Sequence, residues 1–255
     1  MNKLSVVIIC HNEEYTIESC IISAKLLSDD VVVVDSFSTD NTPEICQKHS
    51  VNFVQQKWLG YGAQKNHGNQ LAKNDWILSL DADEVLTIAL VEEIKTLVLN
   101  DDKIVYKINR QNHFGNKKIN FGGLSRDYVR RIFNRKKVKW NTSAVHEDLM
   151  IKNKKNIKPL SNRMKHYSIK SLQQYEQKSL QYASLFAQQK QTEGKKATLL
   201  KRFGSPLLKF VKEYLFMLGF LDGALGWKIA TIGYQETYTK YKLLHNLNQE
   251  NQSPK

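Results

Sequence analysis

Trp76-Ile77-Leu78-Ser79-Leu80-Asp81-Ala82-Asp83-Glu84 is the stretch that decides how this sequence folds. A short, mostly apolar run suits a strand buried on both faces, and this one stops on two carboxylates one residue apart. Neighbouring carboxylates at a strand end repel each other and lose hydration, so a hard divalent cation is their natural partner. In an open parallel sheet the carboxyl ends of the strands face the ligand crevice, where a metal can grip a phosphorylated ligand. Asp-x-Asp alone also suits a solvated loop, so its meaning depends on its surroundings.

Towards the N-terminus, Leu4-Ser5-Val6-Val7-Ile8-Ile9-Cys10 has the composition of a central strand. His11-Asn12-Glu13-Glu14 and a helical stretch from Tyr15 to Leu27 follow it. The run Val31-Val32-Val33-Val34 predicts a second strand buried on both faces, closing on Asp35 and the polar turn Ser36-Phe37-Ser38-Thr39-Asp40-Asn41-Thr42. Pro43 suits the start of a helix, Val51 to Gln55 a short strand, and Tyr61 to Leu71 another helix. Strand and helix thus alternate through the first hundred residues, which predicts an α/β layered sheet. Further on, Lys103 to Ile108 and Tyr128 to Phe133 read as strands around a polar turn at Asn116, Lys117 and Lys118, and Ser171 to Gln191 is helix-compatible.

The 255 residues carry 38 Lys and Arg against 25 Asp and Glu, a net charge of +13 that favours an anionic partner: nucleic acid, anionic lipid or phosphorylated glycan. Zinc-ligand spacing, RNA-binding aromatic motifs and a helix-turn-helix pattern are missing, so no nucleic-acid partner is expected. Cys10, Cys20 and Cys46 cannot all pair and fall in predicted strand or helix positions, as packing residues of a protein in a reducing cytoplasm would. The N-terminus lacks a basic segment followed by a long apolar one, so no signal peptide is expected.

Taken together, Val7-Ile8-Ile9-Cys10-His11-Asn12-Glu13-Glu14, Val34-Asp35-Ser36-Phe37-Ser38-Thr39-Asp40-Asn41-Thr42 and Leu80-Asp81-Ala82-Asp83-Glu84 resemble the motifs of the inverting glycosyltransferases of family 2. The resemblance implies a GT-A type nucleotide-binding α/β fold, a mixed sheet flanked by helices, with a C-terminal helical appendage. Residues 1–160 would be the catalytic domain with the nucleotide-sugar site, and 161–255 the helical region. Within the family the chain is most similar to lipopolysaccharide inner-core heptose β-1,4-glucosyltransferases. That narrower likeness rests on Trp58-Leu59-Gly60-Tyr61-Gly62-Ala63-Gln64-Lys65-Asn66, on Val145-His146-Glu147, and on the pattern from Pro206 through Lys242.

The resemblance implies a UDP-sugar donor, UDP-glucose in the closer relatives, a lipopolysaccharide core acceptor, and Mn²⁺ or Mg²⁺. It places His11 and Glu13 against the uridine, with Asn12 otherwise a cap for the following helix. Asp35 would accept from the uracil imide, although an isolated acid there also suits a turn. Lys65 stands where relatives carry a cation near the donor phosphates; the alternative is a surface lysine on a helix. Gly60 and Gly62 suit a loop closing over ligand or an ordinary turn. Asp81 would contact ribose and the metal-bound diphosphate, and Asp83 would be the principal ligand of the ion. Glu147 is the expected base, with Asp148 its competitor, and His146 would orient the acid or touch the diphosphate. The alternatives on the same sequence are a lipid-phosphate or protein glycosyltransferase, and a non-catalytic basic nucleotide- or nucleic-acid-binding module.

Two basic regions stand apart from these motifs. Arg126, Arg130, Arg131, Arg135, Lys136 and Lys137 offer complementary charge to an acidic acceptor, or form a solvated strand face. Lys195, Lys196, Lys201, Arg202, Lys209 and Lys212 lead into Tyr214-Leu215-Phe216-Met217-Leu218-Gly219-Phe220-Leu221, far short of the roughly 20 apolar residues that cross a bilayer. A basic amphipathic stretch of this kind suits an anionic membrane surface, at about 1 kcal/mol per cation. Packing on the catalytic domain or on a second subunit, as a homo-oligomer, is the alternative. The expected location is cytoplasmic, peripheral on the inner face of the inner membrane.

Overall fold

The computed structural model describes residues 3–142, 147–169 and 171–250. The chain divides into two compact units, residues 1–111 with 127–167 and residues 112–126 with 168–255. The elements run β1 (Leu4–Cys10), α1 (Ile17–Lys25), β2 (Val31–Asp35), α2 (Thr42–Lys48), β3 (Asn52–Gln55), α3 (Tyr61–Leu71), β4 (Trp76–Asp81), β5 (Glu84–Leu86), α4 (Ile88–Lys95), β6 (Val105–Phe114), β7 (Lys117–Lys118), β8 (Asp127–Asn134), β9 (Ile157–Ile169), α5 (Leu172–Thr192), α6 (Leu199–Val211) and α7 (Gly223–Glu250).

In the first unit the strand order is β3-β2-β1-β4-β8-β6-β9-β5. The first four strands are parallel, β8 pairs antiparallel with β4 (Trp76 opposite Asn134), and β5 pairs antiparallel with β9. This is an α/β arrangement with a mixed sheet, as the sequence predicts. The change from parallel to antiparallel falls at β4, so the acidic turn emerges where the strand pattern switches, the position at which open α/β sheets form their crevices.

Alternate side chains explain why the strands sit where they do. Leu4, Val6, Ile8, Val31, Val33, Leu78 and Leu80 join one core with Ile17, Cys20 and Ile21 of α1. Val7, Ile9, Val32, Val34 and Ile77 join the opposite core with Phe133 and Trp140. A period of two with both sets apolar is what burial on two faces demands. On the second face α3 closes on the sheet at Gly68, where a Cβ would overlap Val7 and Val34. Cys10, Cys20 and Cys46 are buried and form no disulfide, and burial pushes the Cys46 thiol up to about 12; they pack, as expected.

Several local expectations shift. Helix α1 starts at Ile17 rather than Tyr15, with Thr16 at its N-cap. Asn12 does not cap it: with φ +55°, its Oδ1 accepts from the backbone N–H of Thr39 at 2.8 Å, tying the 10–13 turn to the 36–39 turn. Strand β6 extends well past Ile108, and β5, α4 and β9 were not legible as separate elements.

The second unit takes residues 112–126, a hairpin in which His113 and Phe114 pair with Lys118 and Lys117. Ile119, Ile169 and Ile229 form its core with Phe114, Leu124, Tyr175 and Leu225. Ser171 caps α5, one residue before the predicted helix settles in, and accepts from the Gln174 N–H. Thr198 caps α6, and a single π-turn at 212–216 and a 3₁₀ turn at 219–222 carry the chain into α7. Asp222 fixes this bend by accepting from the backbone N–H groups of Asn120 (3.0 Å) and Phe121 (2.9 Å). Among the described residues no single helix is long and apolar enough to cross a membrane.

Candidate active site

The cleft of the first unit measures about 660 Å³ and is lined by residues that include Asp81, Arg110, Arg130, Trp140, Glu147 and Asp148. Helix α3 packs behind two of these lining residues, Asp81 and Trp140. Gly60, at φ +91°, starts this helix, and a Cβ at Gly62 would overlap the carbonyl oxygen of Asn141. Glycine therefore lets the helix press against the 140–141 segment. Asn66 then makes a reciprocal pair with the Trp140 backbone, donating to its carbonyl at 2.9 Å and accepting from its N–H at 3.1 Å.

This docking buries Lys65, which is 1 % exposed and is no surface lysine. Its Nζ lies 3.1 Å from Asp81 Oδ1, 3.1 Å from Glu147 Oε1 and 4.6 Å from the Trp140 ring centroid. A buried ammonium needs such partners, because an unpaired charge there would be neutralised or expelled. Two acids and a cation, taken from distant parts of the sequence, thus meet in one place.

Behind them runs a ladder of alternating charge. Arg131 Nη2 is 2.5 Å from Asp81 Oδ2 and 2.5 Å from Glu84 Oε1, and Arg110 Nη1 is 3.3 Å from that same Glu84 oxygen. Arg110 also donates to Asp127, and Glu84 Oε2 accepts the Asp81 N–H at 3.0 Å. Burial alone would raise the Asp81 carboxyl pKa, but Arg131 and Lys65 outweigh it and hold the group well below the usual carboxylate range. Burial likewise opposes charge on Arg131, and Asp81 and Glu84 keep it firmly protonated. The basic stretch from 126 to 137 is therefore not one surface. Arg131 is an internal counter-ion, Arg135 donates to the carbonyls of Asn69 and Ala72, Lys136 pairs with Asp75, and Arg130 faces the cleft.

Asp83 turns away from this ladder. Its Oδ2 lies 3.4 Å from His166 Nε2, because β5 and β9 pair with Glu84 opposite His166. Among the described residues no three His, Cys, Asp or Glu side chains converge on a point. A hard cation that keeps positions for phosphate oxygens and water does not need such a cage, and a carboxylate and an imidazole this close fit two adjacent positions around one ion. Asp81 Oδ2 faces Arg131, whereas Asp81 Oδ1 is buried near Lys65 at 3.1 Å with no hydrogen-bond partner, so Asp81, Asp83 and His166 are the groups here that could hold an ion.

Glu147 and Asp148 differ sharply in engagement. Glu147 turns into the site and meets Lys65, whereas Asp148, 54 % exposed, is clamped through both oxygens by Arg130. His146, the neighbour expected to orient the acid, lies outside the described residues.

The predicted nucleotide residues lie beyond the ends of β1 and β2. Asp35 is fully buried: Oδ2 accepts from the Ser38 N–H (2.9 Å) and Gln55 Nε2 (3.1 Å), and Oδ1 from the Ser38 hydroxyl. It pins its own turn. Glu13 accepts from the Thr16 hydroxyl at 2.8 Å, and its N–H donates to Thr42. His11 is exposed at the end of β1, its Nε2 3.5 Å from the Asn12 amide. None of these three lines the cleft that holds Asp81 and Glu147. Arg131 is expected from sequence as complementary charge for an acidic acceptor or part of a solvated strand face, and the structure makes it the counter-ion of Asp81 and Glu84. Glu84 and Trp140 have no expected role of their own, and His166 becomes visible only through the register of β9.

A mixed sheet switching direction at an Asp-x-Asp strand, with acid and base groups beside it, is the architecture of the GT-A glycosyltransferases. The glycosyl transferase family 2 model matches residues 5–160, and the chain belongs to that family. It is 31 % identical over 239 residues to an uncharacterized glycosyltransferase of Rickettsia typhi, covering 89 % of this chain and 81 % of the relative. It is 29 % identical over 249 residues to the lipopolysaccharide core biosynthesis glycosyltransferase LpsC of Rhizobium meliloti, covering 92 % and 87 %. Among solved structures, glucosyl-3-phosphoglycerate synthase of Mycobacterium tuberculosis with Mn²⁺, UDP and product aligns with a TM-score of 0.37 at 25 % identity, over 44 % of this chain and 45 % of that one.

Proposed function

We propose that this glycosyltransferase moves a hexose, glucose from UDP-glucose, onto a heptose of a lipopolysaccharide inner core with inversion at the anomeric carbon. The observation that carries the proposal is the Lys65 bridge, whose Nζ lies 3.1 Å from both Asp81 and Glu147 and so joins the donor-side acid to the candidate base in one cleft. Glu147 takes the proton of the acceptor hydroxyl as the new C1–O bond forms on one face of the sugar and the bond to the diphosphate oxygen breaks on the other. Lys65 holds that carboxylate in place and offers a positive charge to the departing diphosphate. His11, Glu13 and Asp35 would seat the nucleotide.

Asp83 and His166 would hold the divalent ion, and the imidazole favours Mn²⁺ over Mg²⁺. When bound, such an ion compensates the negative charge that grows on the leaving diphosphate. The acceptor assignment draws support from the name of the Rhizobium relative and from Lys107, Arg110, Arg130 and Lys154 along the cleft, which suit phosphate or acidic sugars beside the accepting heptose. Such an acceptor is lipid-linked, which places the enzyme in the cytoplasm at the inner face of the inner membrane.

Glu147→Gln and Asp148→Asn test the proposal, assayed with UDP-glucose and truncated core acceptors and followed by linkage analysis. Glu147→Gln should lower kcat by about 10²–10⁴-fold, the range of a lost general base. Asp148→Asn should keep kcat within about tenfold, since its carboxylate already serves Arg130. Near-normal turnover by Glu147→Gln would sink the assignment of the base, and transfer to polyprenyl phosphate or peptide alone would sink that of the acceptor.

A further inference from the structure

The second unit leaves an unusual amount of hydrocarbon uncovered at one bend. On α6, Leu200 is 81 % exposed and Leu208 71 %, with Phe203 and Leu207 on the same side of the helix. At the turn, Phe216 is 80 % exposed, and Leu215, Leu218 and Leu221 are exposed around it, followed by Trp227 in the first turns of α7. The two helical arms, 199–216 and 219–249, meet at 70°, and only together do they have the length and apolar content of a broken membrane segment. Isolated exposed leucines are ordinary, but a contiguous set on a folded bend marks a contact surface.

The bend is built, not loose. Leu218 adopts φ +58°, Gly219 approaches so closely that a Cβ would meet the Glu213 carbonyl oxygen, and Gly226 lies against the Gly219 carbonyl in the same way. The aromatic rings of Phe210, Tyr214, Phe220 and Trp227 pack on one another with centroids 5.2 to 6.2 Å apart, which stiffens the elbow from within.

Charge chooses the occupant. Lys201, Lys212 and Lys228 are exposed along these arms, while the two acids of the bend are turned to internal work: Asp222 holds the 120–121 backbone and Glu213 lies beside Gly123 and Gly233. Hydrocarbon framed by lysines, with neither acid of the bend offered outward, matches an anionic lipid leaflet, whose headgroups take the cations and whose acyl region takes the leucines. A second copy of the chain meeting this bend through its own bend would bring the same basic frame.

We propose that residues 199–227 form a monotopic wedge that seats in the headgroup region of an anionic bilayer leaflet without spanning it. Leu208, Leu215 and Phe216 enter the acyl boundary while Lys201 and Lys212 lie at phosphate depth. The proposal deepens the reading of a peripheral enzyme with a lipid-linked acceptor and rests on it. Transfer to a delipidated, water-soluble core oligosaccharide is therefore measured beside it, so that the two can fail separately.

The test is co-sedimentation of full-length protein with phosphatidylglycerol vesicles and with phosphatidylcholine vesicles. Wild type should pellet with the anionic vesicles and be released by alkaline carbonate, which strips surface-bound but not spanning proteins. The pair Leu208→Asp and Phe216→Asp together should lower the partition coefficient at least tenfold, with circular dichroism and transfer to the soluble acceptor unchanged. Should that variant misfold, Lys201→Glu with Lys212→Glu carries the same test, with the expected loss confined to anionic vesicles and reproduced in wild type by high salt. The wedge is refuted by equal pelleting of wild type and variants, by resistance to carbonate, or by a stable dimer that the aspartates split while wild type ignores vesicles. Lost transfer to the soluble acceptor with normal vesicle binding would instead count against the catalytic reading alone.

Discussion

The first unit buries charge and the second exposes hydrocarbon. Lys65, Glu84 and Arg131 sit at 1 %, 0 % and 3 % exposure, whereas Leu200 and Phe216 of the second unit stand at about four-fifths. Each choice runs against the ordinary distribution of residue types. A buried ladder of ions adds little net stability over a hydrocarbon core of equal volume, but it fixes where each charge stands. An exposed apolar face adds nothing to folding and is retained for what it meets. Departure from the folding optimum is thus the clue to function in both units, with opposite sign.

The comparison breaks most readily at Arg131. Arg131→Met removes the cation shared by Asp81 and Glu84, leaving Glu84 fully buried with Arg110 at 3.3 Å as its remaining ionic partner. The expected loss is about 3–5 kcal/mol, the usual consequence of breaking one side of a buried pair, read from the urea midpoint of the full-length protein. If the variant unfolded at the wild-type midpoint, the ladder would be ornamental and the contrast between the units would fail.

A smaller effect is expected at Gly62. Alanine there would drive a methyl group into the Asn141 carbonyl oxygen, and the helix that carries Lys65 would have to back away. Overpacking of this kind costs about 1–3 kcal/mol. Turnover should fall further, by about 10²-fold, because a displacement of an ångström in a catalytic group is enough for that. Kinetics and denaturation of Gly62→Ala would separate the two, and a loss of stability with unchanged kcat would detach α3 from the chemistry.

How much of this was visible in the sequence follows the range of the interactions involved. The parallel half of the sheet was legible because each strand, such as Val31–Val34, carries its own burial signal, and the helix predicted at 61–71 has those bounds. Strand β5 was not, since three residues hold no periodicity, and β9 was not, since lysines and polar residues interrupt its 13 positions. In the site, the acids announced themselves at a strand end. Their counter-ions did not: Arg131 stands in a run of basic residues that looks uniform, and only the folded strand shows that it reaches Asp81 and Glu84 while its neighbour Arg130 pairs with Asp148. His166 was silent because its meaning is a pairing distance, 3.4 Å to Asp83 across strands 83 positions apart in the chain.

The smallest expected effect sharpens the contrast from the other side. Leu208→Ser removes an isobutyl group that is 71 % exposed, so little burial is lost on folding. Serine is a somewhat poorer helix former, and the sum should stay within about 0.5 kcal/mol of wild type. A leucine that packed against the rest of the protein would instead cost several times that amount, as truncations in hydrocarbon cores do. The urea midpoint of Leu208→Ser therefore decides whether α6 presents this side to its surroundings. A shift as large as that of Gly62→Ala would mean the face is covered, and the second unit would then be an ordinary helical domain with its apolar side turned in.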